Sequence, residues 1–171
     1  CCERMFTSRF MLGLFADDCE YDAIPFTDCD TDEHDALALK AAEKSMVLLR
    51  NNGVLPLDPQ KVKTIAVVGP NANSIPALEG NYNGVSSRYV TFLEGVRAYA
   101  KEHGMRVLYS EGCHLFHDRV QNLGMVDDRL AECAMVAEAA DVVIACVGLD
   151  ATLEGEEGDT GNAFASGDKL N

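Results

Sequence analysis

The sequence predicts an α/β fold, a three-layer sandwich on a parallel sheet, preceded by a terminal helix and a connector. Three observations predict it. Apolar runs at 62–68, 106–109 and 142–147 have strand length, and glycine or serine follows each. The runs are continuous rather than alternating, as in a sheet covered on both faces. Stretches with helical spacing lie between them, and right-handed crossovers then put helices on both faces.

Each element has a local reason. Residues 1–16 place Met5, Phe6, Phe10 and Leu14 on a helical period, with Arg4 and Arg9 facing outward and Gly13 at its end. Residues 17–30 are acid-rich, lack periodicity and contain Pro25. They read as an extended connector that Tyr21, Ile24 and Phe26 pin to a surface. Asp30 with Glu33 forms a capping-box pattern. It opens a helix with a small-residue stripe of Leu37, Ala38, Ala41 and Ala42, and Ser45 to Leu49 continues it, with strand character by Leu49. Asn51-Asn52-Gly53 is a turn, and Leu55 to Leu57 touch down around Pro56.

The first strand runs into Gly69-Pro70-Asn71-Ala72-Asn73-Ser74 and a short helix from Ser74 to Leu78. A strand, a turn and a helix form a sheet-edge ligand geometry, but neither GxGxxG nor a Walker A loop is present. The turn therefore reads either as structural or as facing a ligand. Asn81-Tyr82-Asn83 is a polar loop between Gly80 and Gly84. Thr91 with Glu94 is a second capping box, opening a helix with Phe92, Val96 and Tyr99 that His103-Gly104 closes. The strand at 106–109 leaves through Ser110-Glu111-Gly112-Cys113. Asp127 or Asp128 caps a helix through Ala140 whose inward positions are Leu130, Cys133, Ala134 and Ala137; Asp141 ends it.

Charge narrows the function classes. Fourteen Lys and Arg against 28 Asp and Glu give a net charge of −14. Nucleic acids and anionic membranes need basic footprints, so neither is an expected partner. No stretch has transmembrane length, and no secretory leader is read at a start that opens on Cys1. Seven irregularly spaced cysteines lack a CxxC pair and make no disulfide scaffold. Cys133 and Cys146 read as buried thiols, and Cys113 as a candidate for a single bridge. His114 and His117 are three apart with Asp118 adjacent, but a metal site would need a third ligand placed by the fold, so no metal is assigned.

The densest chemistry follows the last strand. Glu154, Glu156, Glu157, Asp159 and Asp168 lie within fifteen positions, among glycines at 155, 158, 161 and 167. Three readings stand. The segment is a solvated acidic loop, or a general acid whose pKa neighbouring carboxylates or burial raise, or a Ca²⁺ loop, although the EF-hand order is not met.

Longer stretches carry a family resemblance. They are RMFTSRFMLGLF at 4–15, ALALKAAEKSMVLLRNNGVLPL at 36–57, KTIAVVGPNANS at 63–74, GNYNGVSSRYVTFLEGVRAY at 80–99, VLYSEGC at 107–113 and VVIACVGLDATLEGEEGDTG at 142–161. With these, the chain resembles glycoside hydrolase family 3, the β-xylosidases and β-glucosidases, over essentially all 171 residues. LEGEE with GNYNG upstream is similar to the β-xylosidase-type branch.

The resemblance implies a (β/α)₈ barrel that supplies an Asp nucleophile, a linker, and an α/β sandwich whose Glu is the acid/base of a retaining double displacement. It equates residues 1–16 with the barrel's last helix, 17–35 with the linker and 36–171 with the first part of the sandwich. The barrel itself would be a separate domain or chain. Glu154 is the first choice for acid/base and Glu156 the catalytic alternate, while Glu157 and Asp168 are assigned to substrate. Asp168 resembles the Asp of a Gly-Asp-Arg step in which this chain has Lys169, a charge without the bidentate fork. An oligosaccharide or aryl glycoside is the implied substrate, with no cofactor. An oligomer is allowed, as is a secreted, periplasmic or cytoplasmic place. The 171 residues alone are expected to be inactive, because the nucleophile is missing. Two other readings remain: a non-catalytic flavodoxin-like or receiver-like binding module, and a fragment that folds only with its parent.

Overall fold

The computed structural model describes residues 1–80, 84–115, 128–151 and 153. Two compact units divide at Asn51, Cys1–Asn51 and Asn52–Asn171.

The first unit holds helices α1 (Cys2–Met11) and α2 (Asp32–Ser45), with 3₁₀ turns at Glu20–Ala23 and Phe26–Asp28. Gly13, at φ +75°, turns the chain after α1. Phe15 then folds back on Phe10 and Phe6, with ring centroids 4.6 and 6.1 Å apart, so the expected apolar period becomes an aromatic cluster. Tyr21, Ile24 and Phe26 stand exposed along the connector.

α2 begins one residue later than its capping pattern predicts. Asp30 has φ +58°, which excludes it from the extended conformation of an N-cap. Thr31 is extended and caps instead: its hydroxyl accepts from His34 N, and its own N–H donates to His34 Nδ1. Residues 46–50 after α2 are neither helix nor strand.

The second unit is a three-stranded parallel sheet in the order β2-β1-β3, with β1 Thr64–Val68, β2 Arg106–Ser110 and β3 Val142–Ala145. A one-turn helix α3 (Pro76–Glu79) and α4 (Phe92–Glu102) separate β1 from β2, and α5 (Asp128–Glu138) precedes β3. β1 is the central strand and is buried over Ile65 to Val68. That explains its continuous apolar run. β3 ends two residues earlier than its run of apolar residues.

Register sorts the two faces. Ile65 pairs with Val107 and Val142, and Val67 with Tyr109 and Ile144. These residues join Leu93 and Val96 of α4 in the main core, with Val62 and Ala72 beneath. The chain passes from β1 to β2 on one side, then crosses back over β1 to β3. Right-handed crossovers in opposite directions put α4 and α5 on opposite faces, giving three layers. Ser110, on the face away from α4, bonds Glu132 of α5.

α5 is rotated from its predicted face. Leu130 and Ala134 are exposed, while Arg129, Cys133, Val136 and Ala137 are half-buried. Arg129 pairs with Glu111 at the exit of β2, and Cys133 sits against Gly112, where a Cβ would meet its sulfur at 3.3 Å. Together they set the helix rotation.

Asp141 does more than end α5. Its Oδ2 accepts both Lys63 N and Thr64 N at 2.8 Å, and Asp141 N donates to Thr64 O. One carboxylate thus fastens the start of β1 to the start of β3.

Candidate functional site

The strand order creates a switch point. β1 leads away to β2 on one side and has β3 on the other, so the strand order reverses between β1 and β3. Ligand chemistry in open α/β sheets gathers at such places. The acidic segment follows from β3 at this edge.

The β1 turn is pressed against the β3 exit. Gly69 has φ +113°, and a Cβ there would lie 2.2 Å from Cys146 O. Only glycine permits this approach. Cys146 N donates to Val68 O at 2.7 Å, and Asn71 N returns to Cys146 O at 3.3 Å. The Asn71 amide reaches further along the same exit, with Nδ2 donating to Gly148 O at 3.1 Å.

The other side of the turn is fastened to α4. Ala72 is fully buried; its N–H donates to Gly69 O and its carbonyl accepts Leu93 N at 2.9 Å. Thr91 Oγ1 donates to Asn73 Oδ1 at 2.9 Å. The predicted capping box at Thr91 is present, with Thr91 N on Glu94 Oε2 and Glu94 N on Thr91 Oγ1. The Gly69–Asn73 turn is therefore a rigid link between the start of α4 and the end of β3. The ambiguity of the turn resolves toward structure at Gly69 and Asn71, whose polar groups hold β3.

A second set of groups closes the exit of β2. Gly69 N donates to Ser110 O. The buried Ser110 hydroxyl accepts Gly112 N at 3.2 Å and donates to Glu132 Oε2 at 3.3 Å. Burial, and then the nearby Glu111 carboxylate, push the Tyr109 phenol above its usual pKa. Burial likewise raises the Cys146 thiol. Both groups are held neutral at physiological pH, so neither supplies a ready anion. All seven cysteines are free thiols, with Cys113 exposed and Cys133 and Cys146 half-buried.

Glu154, Glu156, Glu157 and Asp168 lie outside the described residues, as do Tyr82, His117 and Asp118. Among the described residues, no cluster of His, Cys, Asp or Glu could hold a metal ion, and no helix is long and apolar enough to cross a membrane. The structure fixes the point from which the acidic segment departs. Glu154 follows Gly148 by six residues, a reach of at most about 20 Å. Sequence reasoning missed the Asn71 clamp, the Ser110–Glu132 bond and the Asp141 fastening. Asn71 meets Gly148 across 77 positions, and no local pattern signals that contact.

Comparison with known proteins accords with this architecture. Residues 46–170 match the glycosyl hydrolase family 3 C-terminal domain. A β-xylosidase from Formosa agariphila is 34% identical over 163 residues, covering 91% of this chain and 21% of that protein. A solved family 3 exo-β-xylosidase, in complex with a xylobiose aziridine activity-based probe, superposes with a TM-score of 0.68 at 29% identity, over 86% of this chain and 18% of its own. A β-glucosidase from Erythrobacter marinus superposes with a TM-score of 0.60 at 34% identity, over 71% of this chain and 18% of its own. The chain spans about a fifth of the length of the curated relatives it matches. With the family pattern running through most of its length, this chain belongs to glycosyl hydrolase family 3.

Proposed function

We propose that this chain contributes the general acid/base segment of a retaining, exo-acting β-glycosidase that removes terminal β-xylosyl or β-glucosyl residues. The observation that carries the reading is the departure of an acid-rich segment from the switch-point edge, at a β3 exit that the β1 turn holds rigidly. The family's xylosidase and glucosidase members support the substrate class.

The chemistry divides into two displacements. A carboxylate nucleophile from a neighbouring barrel domain attacks the anomeric carbon. The glycosidic C–O bond breaks, and Glu154 gives its proton to the departing oxygen. Glu154, now ionised, takes a proton from water. That water attacks the glycosyl-enzyme, frees the nucleophile and restores the acid. Glu156 is the alternate for this role, and Glu157 and Asp168 are the groups assigned to sugar hydroxyls. Residues 1–16, 17–35 and 36–171 serve as barrel end, linker and sandwich.

The leaving group reports on the acid. In the full-length protein, Glu154→Ala should lower kcat/KM for alkyl xylosides or glucosides by about 10²–10⁴-fold, the usual worth of general acid catalysis. A 2,4-dinitrophenyl glycoside, whose leaving group needs no proton, should lose far less in its first step. Equal losses on both substrates for Glu154→Ala and for Glu156→Ala would sink the proposal.

A further inference from the structure

We infer that the bare apolar face of β3 is a docking surface for one occupant: a crossover helix that follows residue 171 in the same polypeptide and leads to a further parallel strand on the outer edge of β3.

The register locates the bare face. On the side of the sheet that meets α5, Ala66 and Val68 of β1 are 0% and 7% exposed. Ser110, which pairs with Val68 and bonds Glu132 of α5, is also buried. On β3 the same side continues with Val143, paired with Ala66, and Ala145, paired with Val68. There Val143 is 44% exposed, Ala145 is exposed, and Val147 is 72% exposed. α5 packs against β2 and β1. The other side of β3 is covered, because Val142, Ile144 and Cys146 join the main core. A strand that is apolar on both sides is built for cover on both, and β3 has cover on one. Its edge is open as well. β3 is an outer strand among the described residues, and Val142–Ala145 carry neither a charge nor a proline to block pairing.

Chain direction selects the occupant. The right-handed step from β2 across β1 to β3 put α5 on this side. A further step in the same direction, to the outer edge of β3, puts its helix on this side too, over Val143 to Val147. A step back to the outer edge of β2 would put the helix on the α4 side and leave β3 bare. One helix and one strand therefore cover both the face and the edge. Length places the helix in the chain. Val143 to Val147 span about 13 Å of strand, which takes about nine residues of helix. From 152 to 171, glycines at 155, 158, 161 and 167 leave no uninterrupted run longer than 162–166, and glycine is unfavourable inside a helix. The helix therefore comes from beyond residue 171. The curated relatives, of whose length this chain spans about a fifth, have the further chain to supply it.

The test uses the full-length protein. Val143→Cys and Val147→Cys report whether the face is covered. Alkylation by N-ethylmaleimide, read by mass spectrometry of each cysteine peptide, should be at least about 10-fold slower at both positions than in the same protein unfolded in urea. The photo-cross-linker p-benzoylphenylalanine at position 147 reports what covers it. Its cross-link is expected on a peptide that follows residue 171 of the same molecule. If that variant does not fold, the probe moves to position 143. Alkylation at the unfolded rate at either position would overturn the inference. So would a cross-link only to a second copy, a cross-link only within the first 171 residues, or none.

Discussion

Gly69→Ala tests whether the turn after β1 and the exit of β3 form one rigid unit. At φ +113° an alanine is strained wherever it sits, at about 1–3 kcal/mol. Its Cβ would also lie 2.2 Å from Cys146 O, and real contacts of this kind essentially never fall under 3.0 Å. The carbonyl must retreat by roughly 0.8 Å, the gap between those two distances. It already accepts Asn71 N at a long 3.3 Å, so the retreat breaks that bond, worth about 0.5–1.5 kcal/mol. Together these give a loss of about 1.5–4.5 kcal/mol. That is a large share of the roughly 5–15 kcal/mol that holds a domain together. Gly104→Ala is the control, because Gly104 has φ +67° and nothing lies within 4 Å of its Cβ position. It incurs only the backbone cost of about 1–2 kcal/mol. Urea unfolding followed by circular dichroism reads the difference. At a slope of about 2 kcal/mol per molar, Gly69→Ala should lower the midpoint by about 0.8–2.2 M, and in any case by more than the roughly 0.5–1 M of Gly104→Ala measured alongside it. Equal shifts would refute the close approach, and with it the rigid exit.

Two further predictions follow from the fastenings around the sheet. Hydrogen bonds from the backbone N–H groups of Lys63 and Thr64 lower the Asp141 pKa below its ordinary 3.8. A folded pKa below the unfolded one contributes stability that is present above the unfolded value and is lost as pH falls through the folded value. Asp141→Asn should therefore flatten the acid limb of a stability profile below about pH 4, and an unchanged limb in urea midpoints measured from pH 7 to 2 would count against it. Thr91→Ala removes both the cap of α4 and the partner of Asn73. It should cost about 1–2 kcal/mol by urea unfolding, with Thr91→Ser keeping most of the wild-type stability; a Ser variant as unstable as the Ala variant would point to packing of the methyl group instead.

The sheet was legible in the sequence because its strands are short, continuous and apolar, and because capping at Thr91 and Glu94 is local. The shift of the other cap from Asp30 to Thr31 was not. A left-handed φ at Asp30 is a property of the assembled connector, and His34 does not announce itself as an N3 partner. The rotation of α5 was hidden for a similar reason. Apolar spacing favours Leu130, while the Glu111–Arg129 pair and the fit of Cys133 on Gly112 turn another stripe inward. The acidic segment was conspicuous by composition. The order β2-β1-β3, which creates the switch point, comes from pairings between distant residues. So do the contacts that define the exit. Asn71 to Gly148, Gly69 to Cys146 and Asp141 to Lys63 each join positions more than seventy residues apart. The family resemblance ranked Glu154 above Glu156 and Glu157, where composition alone left a solvated loop, an acid and a Ca²⁺ loop side by side.

Azide rescue tests the central claim most directly. Once the acid/base is removed, water is no longer activated against the glycosyl-enzyme, whereas azide needs no base. Glu154→Ala in the full-length protein, turning over a 2,4-dinitrophenyl xyloside or glucoside, should accelerate with added azide. The expected product is a glycosyl azide of retained β configuration. No acceleration and no glycosyl azide from either Glu154→Ala or Glu156→Ala would contradict the assignment of the acid/base to this segment.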